Sequence, residues 1–386
     1  MLLIDNNEKL HDFCSQINKE EFITVDLEFM REKTYYAQIC LIQVASKNTA
    51  AIIDPLAKGL DLSSFWDVMQ NEKVIKVFHS CRQDVEIIYN MSGKTPNPLF
   101  DTQVAAMVCG FGEYIGYESL VKSLLGRELD KTCRLTNWNL RPLDEGQLEY
   151  ALSDVTHLVD VYEKLCEILR ENHREHWFDE EIAALQNPAL YEVNPDDVWQ
   201  KIRYSSHNSK FLRILQQLAK WRELRAQKHN TPRQSVIKDE CLVSIAAMAP
   251  KSVEQLAQVR NIRKDVLNGK LAAEILDVVK EAIADKKLKI KPIEKYRAFN
   301  SAASGLLELL KLMLKIVSLQ EGVVPHIIAT DENLRDLAMA ENDENNPLLK
   351  GWRFDLFGKE ALLLREGKIS ICYNCVSKKI DFNKTA

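Results

Sequence analysis

Strand periodicity is confined to the opening part of this chain, and its clearest example carries acids on one face. In residues 21–29, EFITVDLEF, Ile23, Val25, Leu27 and Phe29 alternate with Thr24, Asp26 and Glu28. A period of two places the first set on one face of a β-strand and the second on the other. YYAQICLIQVA and TAAIIDPL follow as two further β-rich runs, the latter closed by Asp54-Pro55. LSSFWDVMQN then reads as a helix, KVIKVFH as a strand and RQDVEIIYNM as a helix. Three early strands in series, then strands alternating with helices, imply a mixed sheet with helices on its faces. From Asn208 onward β signals vanish, so the expected architecture is an α/β domain followed by all-α bundles.

At 386 residues the chain is too long for one ordinary core, which points to two or three domains. The tract from about 144 to 170 is helical, with Leu148, Ala151, Leu152, Val155, Leu158, Val159, Tyr162 and Leu165 as its apolar stripe. The segment NPALYEVNPDD has the prolines and acidity of a connector. The expected division is a first domain at 1–187, a linker at 188–207, a helical domain at 208–288 and, at 289–386, a second such domain with a C-terminal tail. Residues 286–292 read as a basic hinge, and the two helical blocks share enough length and order to suggest a divergent internal repeat.

Charge follows the same division. Residues 1–170 hold 17 Lys and Arg against 26 Asp and Glu, while residues 208–290 hold 17 against 9. A basic module after an acidic one fits a polyanionic partner held by the middle segment, although an ordinary solvated helical surface has similar composition. No apolar run is long enough to span a bilayer, and the first residues lack the basic start and cleavage site of a secretory signal. Nine cysteines, several in apolar segments, read as reduced thiols of a cytoplasmic protein.

Five residues concentrate the chemistry: Asp26 and Glu28, Asp84 in KVFHSCRQDVEII, and Tyr150 with Asp154 in QLEYALSDVTHLVDVY. Each lies inside or beside an apolar segment, where a carboxylate is costly unless paired or bound to metal. Asp26 and Glu28 share a strand face and repel unless something cationic neutralises them. Taken singly, each has a plainer explanation. The strand pair would suit a solvated edge. Asp84 sits where an acid offsets a helix dipole. Tyr150 and Asp154, four apart on one helix face, would suit a half-buried phenol beside a surface acid. His79, at the end of a strand, is a secondary candidate for phosphate contact. Together, hard oxygen ligands and a tyrosine one turn from the last acid suggest two-metal phosphodiester hydrolysis.

VDLEF, HSCRQD and Tyr150-Ala-Leu-Ser-Asp154, in this order and spacing, resemble the three exonuclease motifs of the DEDD superfamily, tyrosine subclass. TYYAQICLIQ, FDTQVAAMVCG, Leu129-Asp130-Lys131 and TNWNLRPL at 136–143 are similar to the pattern of the bacterial ribonuclease D family in particular. The block at 208–285 resembles that family's first HRDC domain and the block at 292–367 its second. The resemblance implies a ribonuclease H-like mixed sheet flanked by helices, then two all-α helical-bundle HRDC domains. It further implies a 3′→5′ exoribonuclease that releases 5′-mononucleotides from RNA, tRNA precursors above all; nothing in the sequence demands a dimer, so a monomer is expected. Asp26 would bridge two Mg²⁺ or Mn²⁺ ions, Glu28 and Asp154 would complete one site, Asp84 would support the other, and Tyr150 would orient the attacking water. Two positions depart from the family pattern: Leu27 replaces the usual threonine, and Asn137 the aspartate that often precedes the tryptophan. Neither removes one of the five.

Other signals carry less. The run from Gly110 to Gly116 has the wrong last interval for a dinucleotide loop and reads as a helix end. Cys372 and Cys375 are half a zinc site without a second half. His173 and His176 are expected on the surface. Two other functions remain open at this point: a 3′→5′ DNA exonuclease, and a non-catalytic RNA-binding protein with a relic site.

Overall fold

A computed structural model describes residues 2–129, 136–206, 208–285, 301–340 and 343–384. The basic hinge at 286–292 and the last two residues of Leu129-Asp130-Lys131 lie outside them. The chain forms two compact units: Met1–Glu28 with Cys40–Leu190 and Tyr296–Ala386, and Phe29–Ile39 with Tyr191–Lys295.

The first unit is built on β1 (Leu2–Ile4), α1 (Asn7–Ile17), β2 (Phe22–Met30), β3 (Gln38–Ala45), β4 (Ala50–Ile53), α2 (Ser63–Gln70), β5 (Ile75–Phe78), α3 (Arg82–Ser92), β6 (Leu99–Asp101), α4 (Thr102–Val108), α5 (Tyr117–Leu125), α6 (Glu145–Glu171) and α7 (Glu175–Gln186). Its six strands run in the order β1-β4-β3-β2-β5-β6. β3 and β4 are antiparallel, while β1 with β4, β2 with β5 and β5 with β6 are parallel. This is the mixed sheet that the sequence led us to expect. β2 lies in its middle, with Ile23 and Val25 fully buried on one face and Thr24 on the other. A solvated edge strand is thereby excluded. The register Thr24–Val77–Phe100 sets the carboxyl ends of β2, β5 and β6 side by side, which is where open α/β sheets place their ligands.

The helix that faces this end, α6, starts from a reciprocal capping box between Asp144 and Gln147, worth about 1 kcal/mol. Thr24 pins it to the sheet: its buried hydroxyl lies 2.8 Å from the Val155 carbonyl.

Residues beyond 301, set apart as a domain in the sequence reading, pack into this same unit. They form α14 (Ser301–Glu321), α15 (Pro325–Ile328), α16 (Asp331–Met339), α17 (Gly351–Arg353), a π-helical turn at Phe354–Gly358 and α18 (Lys359–Arg365). Trp177 of α7 stacks on Trp352 with centroids 4.3 Å apart, Arg353 pairs with Glu181, and Arg174 donates to the Glu321 carbonyl at 2.6 Å. Gly110 has φ +88°, and a Cβ there would lie 2.0 Å from the Gly322 carbonyl oxygen, so this close approach requires glycine. The expectation that strands are absent after Asn208 needs correction, because β7 (Ile369–Asn374) and β8 (Lys379–Lys384) form an antiparallel hairpin beyond the block at 292–367. Ile369, Ile371 and Tyr373 alternate along one strand and Ile380 and Phe382 along the other, which is the local period of a half-buried strand.

The second unit contains α8 (Ser209–Lys228), α9 (Arg233–Val236), α10 (Asp239–Met248), α11 (Val253–Leu256), α12 (Lys264–Leu267) and α13 (Lys270–Ala284). Its core joins Ile214, Leu218, Leu242 and Ile275 to Val198, Trp199 and Ile202 from the segment read as a linker. Tyr35 belongs to this core too, although it was assigned to a strand. Its hydroxyl donates to the fully buried Glu223 carboxylate and accepts from Arg233 at 2.9 Å and Gln227 at 3.3 Å.

Candidate active site

Asp26, Glu28 and Asp154 come together, each offering a carboxylate oxygen within 4.8 Å of the others. The first two project from the same face of β2, and Asp154 from α6, one residue before the carbonyl that Thr24 holds. Leu27 points the other way and is buried in the core, so its departure from the family pattern leaves the acidic face untouched. Burial, then the charge of Asp154, pushes the Asp26 carboxyl from 3.8 up to about 8. Burial, then Asp26 and Asp154, pushes Glu28 from 4.5 up to about 9. Among the described residues this is the one group of three or more acidic, histidine or cysteine side chains able to hold a metal.

Asp84 stands in the first turn of α3 and is buried, outside that trio. It still feels the trio: burial first, then Asp26, Asp101 and Glu28, hold its carboxyl well above the usual range. Tyr150 is half-buried on α6, and its phenol hydrogen-bonds to Asp154. Burial, then Asp154, Glu28 and Asp26, raises its pKa, which keeps it a neutral phenol across the physiological range. The five residues singled out from the sequence therefore occupy one end of one sheet.

Three further groups shape the site. Asp101 ends β6, and its carboxylate accepts from the backbone N–H of Ser80 at 2.9 Å, Cys81 at 2.8 Å and Gln103 at 2.8 Å. It thereby fixes the turn before α3, where Ser80 adopts φ +59°. An aspartate ahead of Thr-Gln was a readable helix cap, but its reach back to residue 80 was not. Tyr117 donates to the Ser153 carbonyl at 3.2 Å, and its pKa is raised by burial, then by Asp154 and Asp26. His79 contacts Thr102 through Nδ1 at 3.0 Å and lies 5.5 Å from the Tyr117 ring. Burial lowers its pKa, so it is a neutral wall residue.

The glycine run and the two histidines lie as expected. α4 ends before Gly110, and His173 and His176 are exposed. Cys372 is exposed and accepts a hydrogen bond from Asn383 at 2.8 Å.

Residues 1–170 match the family model described as "3'-5' exonuclease", and residues 211–279 match the HRDC domain. Ribonuclease D of Bartonella henselae is 40% identical over 369 residues, 96% of this chain and 91% of that protein. Ribonuclease D of Acidiphilium cryptum is 42% identical over 374 residues, 96% of this chain and 94% of that one. The chain belongs to the ribonuclease D family. It is a 3′→5′ exoribonuclease, a hydrolase with an exonuclease domain and an HRDC domain. Among solved structures, Escherichia coli RNase D superposes with a TM-score of 0.82 at 26% identity, covering 95% of this chain and 98% of that one. The family's acidic centre depends on divalent metal, and its substrate is RNA. Among the described residues, no helix is long and apolar enough to cross a membrane.

Proposed function

We propose that Asp26, Glu28 and Asp154 hold one divalent cation, that Asp84 with Asp26 supports a second, and that Tyr150 orients the attacking water. On this reading the chain trims RNA precursors with short 3′ extensions, tRNA most of all, to 5′-mononucleotides. The carrying observation is three carboxylate oxygens within 4.8 Å of one another at the carboxyl end of a buried sheet. Such a donor set is hard, oxygen-only and anionic, which fits Mg²⁺ or Mn²⁺. The dications, when bound, supply a water of lowered pKa and stabilise charge on the leaving 3′-oxygen.

The chain's own residues do the rest. Asp101 holds the turn that presents Asp84, and Thr24 holds α6 so that Asp154 meets β2. The neutral phenol of Tyr150 can donate to or accept from water without ionising. An acidic mouth repels a phosphate chain, so attraction must come from elsewhere. The segment 208–290 is suited to that role by its charge, 17 Lys and Arg against 9 Asp and Glu. One chain supplies all five residues, so a monomer suffices. A second HRDC fold in the C-terminal block is supported by matched helix lengths. α8, α9 and α10 span 20, 4 and 10 residues, and α14, α15 and α16 span 21, 4 and 9.

The test is a tRNA-like transcript with a short 3′ extension beside a DNA strand of matched sequence. Expected are stepwise shortening of the RNA, 5′-mononucleotide products, no reaction in EDTA and none from Asp154→Asn. Faster loss of the DNA, or undiminished turnover by that variant, overturns the reading.

A further inference from the structure

Arg141 is bonded more completely than any surface arginine needs to be. Its side chain is 26% exposed, yet all five guanidinium N–H groups have acceptors. Nε donates to Asp54 Oδ2 at 2.7 Å, and Nη2 donates to Asp54 Oδ1 and to the Cys40 carbonyl, each at 2.7 Å. Nη1 donates to the carbonyls of Trp138 and Leu140, each at 2.8 Å. One planar group thus ties the loop before α6 to β3, through Cys40, and to the end of β4, through Asp54.

That loop has a second tether, Thr136 Oγ1 to Gln147 Nε2 at 2.7 Å, and a third, Asn139 Oδ1 to Cys40 Sγ at 3.1 Å. Between the tethers hangs Trp138. Its ring is buried, with its centroid 6.2 Å from that of Tyr150 and the two planes 31° apart. Tyr150 is only half-buried, and this ring is an aromatic neighbour beside its phenol.

We propose that Arg141, with Asp54 as its anchor, is a positioning residue for the hydrolysis: it fixes Trp138 and, through Trp138, the angle of the Tyr150 phenol. The inference rests on the reading of Tyr150 as the residue that orients water. The fork geometry is essential, because a lysine ammonium is a point donor and cannot span a carboxylate and three carbonyls in one plane. A phenol displaced by even an ångström loses alignment with the water rather than affinity for RNA.

The experiment is a double-mutant cycle of Arg141→Lys and Tyr150→Phe, with kcat and KM measured on a single-stranded RNA oligonucleotide in Mn²⁺. Arg141→Lys alone is expected to lower kcat by about tenfold or more while KM stays within about twofold. In the Tyr150→Phe background, the same substitution should cost less than about twofold, because the group it positions has lost its hydroxyl. Asp54→Asn keeps the shape but weakens the anchor, and should reproduce the pattern in a milder form. It stands in if Arg141→Lys fails to fold. Losses in kcat that multiply across the cycle overturn the proposal, as does a change confined to KM. Full turnover by Tyr150→Phe alone refutes the reading of Tyr150 itself, an outcome distinct from either.

Discussion

The acidic cluster that performs the chemistry should be a burden on the metal-free fold, and Asp26→Asn measures that burden. The sign follows from the raised carboxyls. An unfolded Asp26 releases its proton near 3.8, whereas the folded one holds it to about 8, so between those values the unfolded chain binds fewer protons. Stability of the metal-free protein therefore falls as pH rises from about 4 to about 8. At pH 7 the gap corresponds to about 4 kcal/mol for Asp26 taken alone, an upper bound that water entry and local relaxation reduce to about 1–3 kcal/mol. Asparagine keeps the shape and removes the charge. Asp26→Asn in EDTA should then melt higher than the parent at pH 8, by about 2–4 °C for each kcal/mol recovered, and no higher at pH 4. Mn²⁺ should raise the melting temperature of the parent at pH 8 and leave the variant nearly unchanged. The same variant should release no mononucleotide. Differential scanning fluorimetry at the two pH values, with and without Mn²⁺, is the assay. An Asp26→Asn protein that melts lower than the parent in EDTA at pH 8 would refute the argument that burial and the neighbouring Asp154 make this carboxylate a burden on the metal-free fold.

Thr24→Val replaces the hydroxyl that holds Val155 with a methyl of similar size, and should cost about 0.5–1.5 kcal/mol in urea unfolding of the first unit. Its kcat should fall with KM nearly unchanged, since α6 carries both Asp154 and Tyr150. Asp101→Ala leaves three backbone N–H groups without their acceptor and should cost about 2–4 kcal/mol, with turnover reduced by about tenfold as Asp84 loses its place. Tyr35→Phe removes the hydroxyl that donates to buried Glu223 and should lower the stability of the second unit by about 1–2 kcal/mol, read from the denaturant midpoint.

The site was legible in the sequence because strand and helix periods are local properties. Asp26 and Glu28 share a face by the alternation of EFITVDLEF, and Tyr150 and Asp154 share one by helical spacing. Which elements meet was legible only through the family resemblance, since nothing local links residue 24 to residue 155. The misses are of that non-local kind. Tyr35 sits in a β-rich run, but a buried carboxylate 188 residues away draws it into a helical core. Asp54 and Arg141 are 87 residues apart, and each looks like an ordinary turn residue until the fold brings them together. The hairpin at 369–384 is a miss of a different kind: the alternation of Ile369, Ile371 and Tyr373, and of Ile380 and Phe382, is local and was there to read.

The central claim is that this acidic end of the sheet directs water at the terminal phosphodiester of RNA. Hydrolysis of a 5′-labelled RNA in H₂¹⁸O with Mn²⁺, followed by mass spectrometry of the first products, tests it directly. The account requires one ¹⁸O on the phosphate of each released 5′-mononucleotide and labelled RNA that shortens one residue at a time. Nucleoside 3′-phosphates, cyclic phosphates or internal fragments would contradict it.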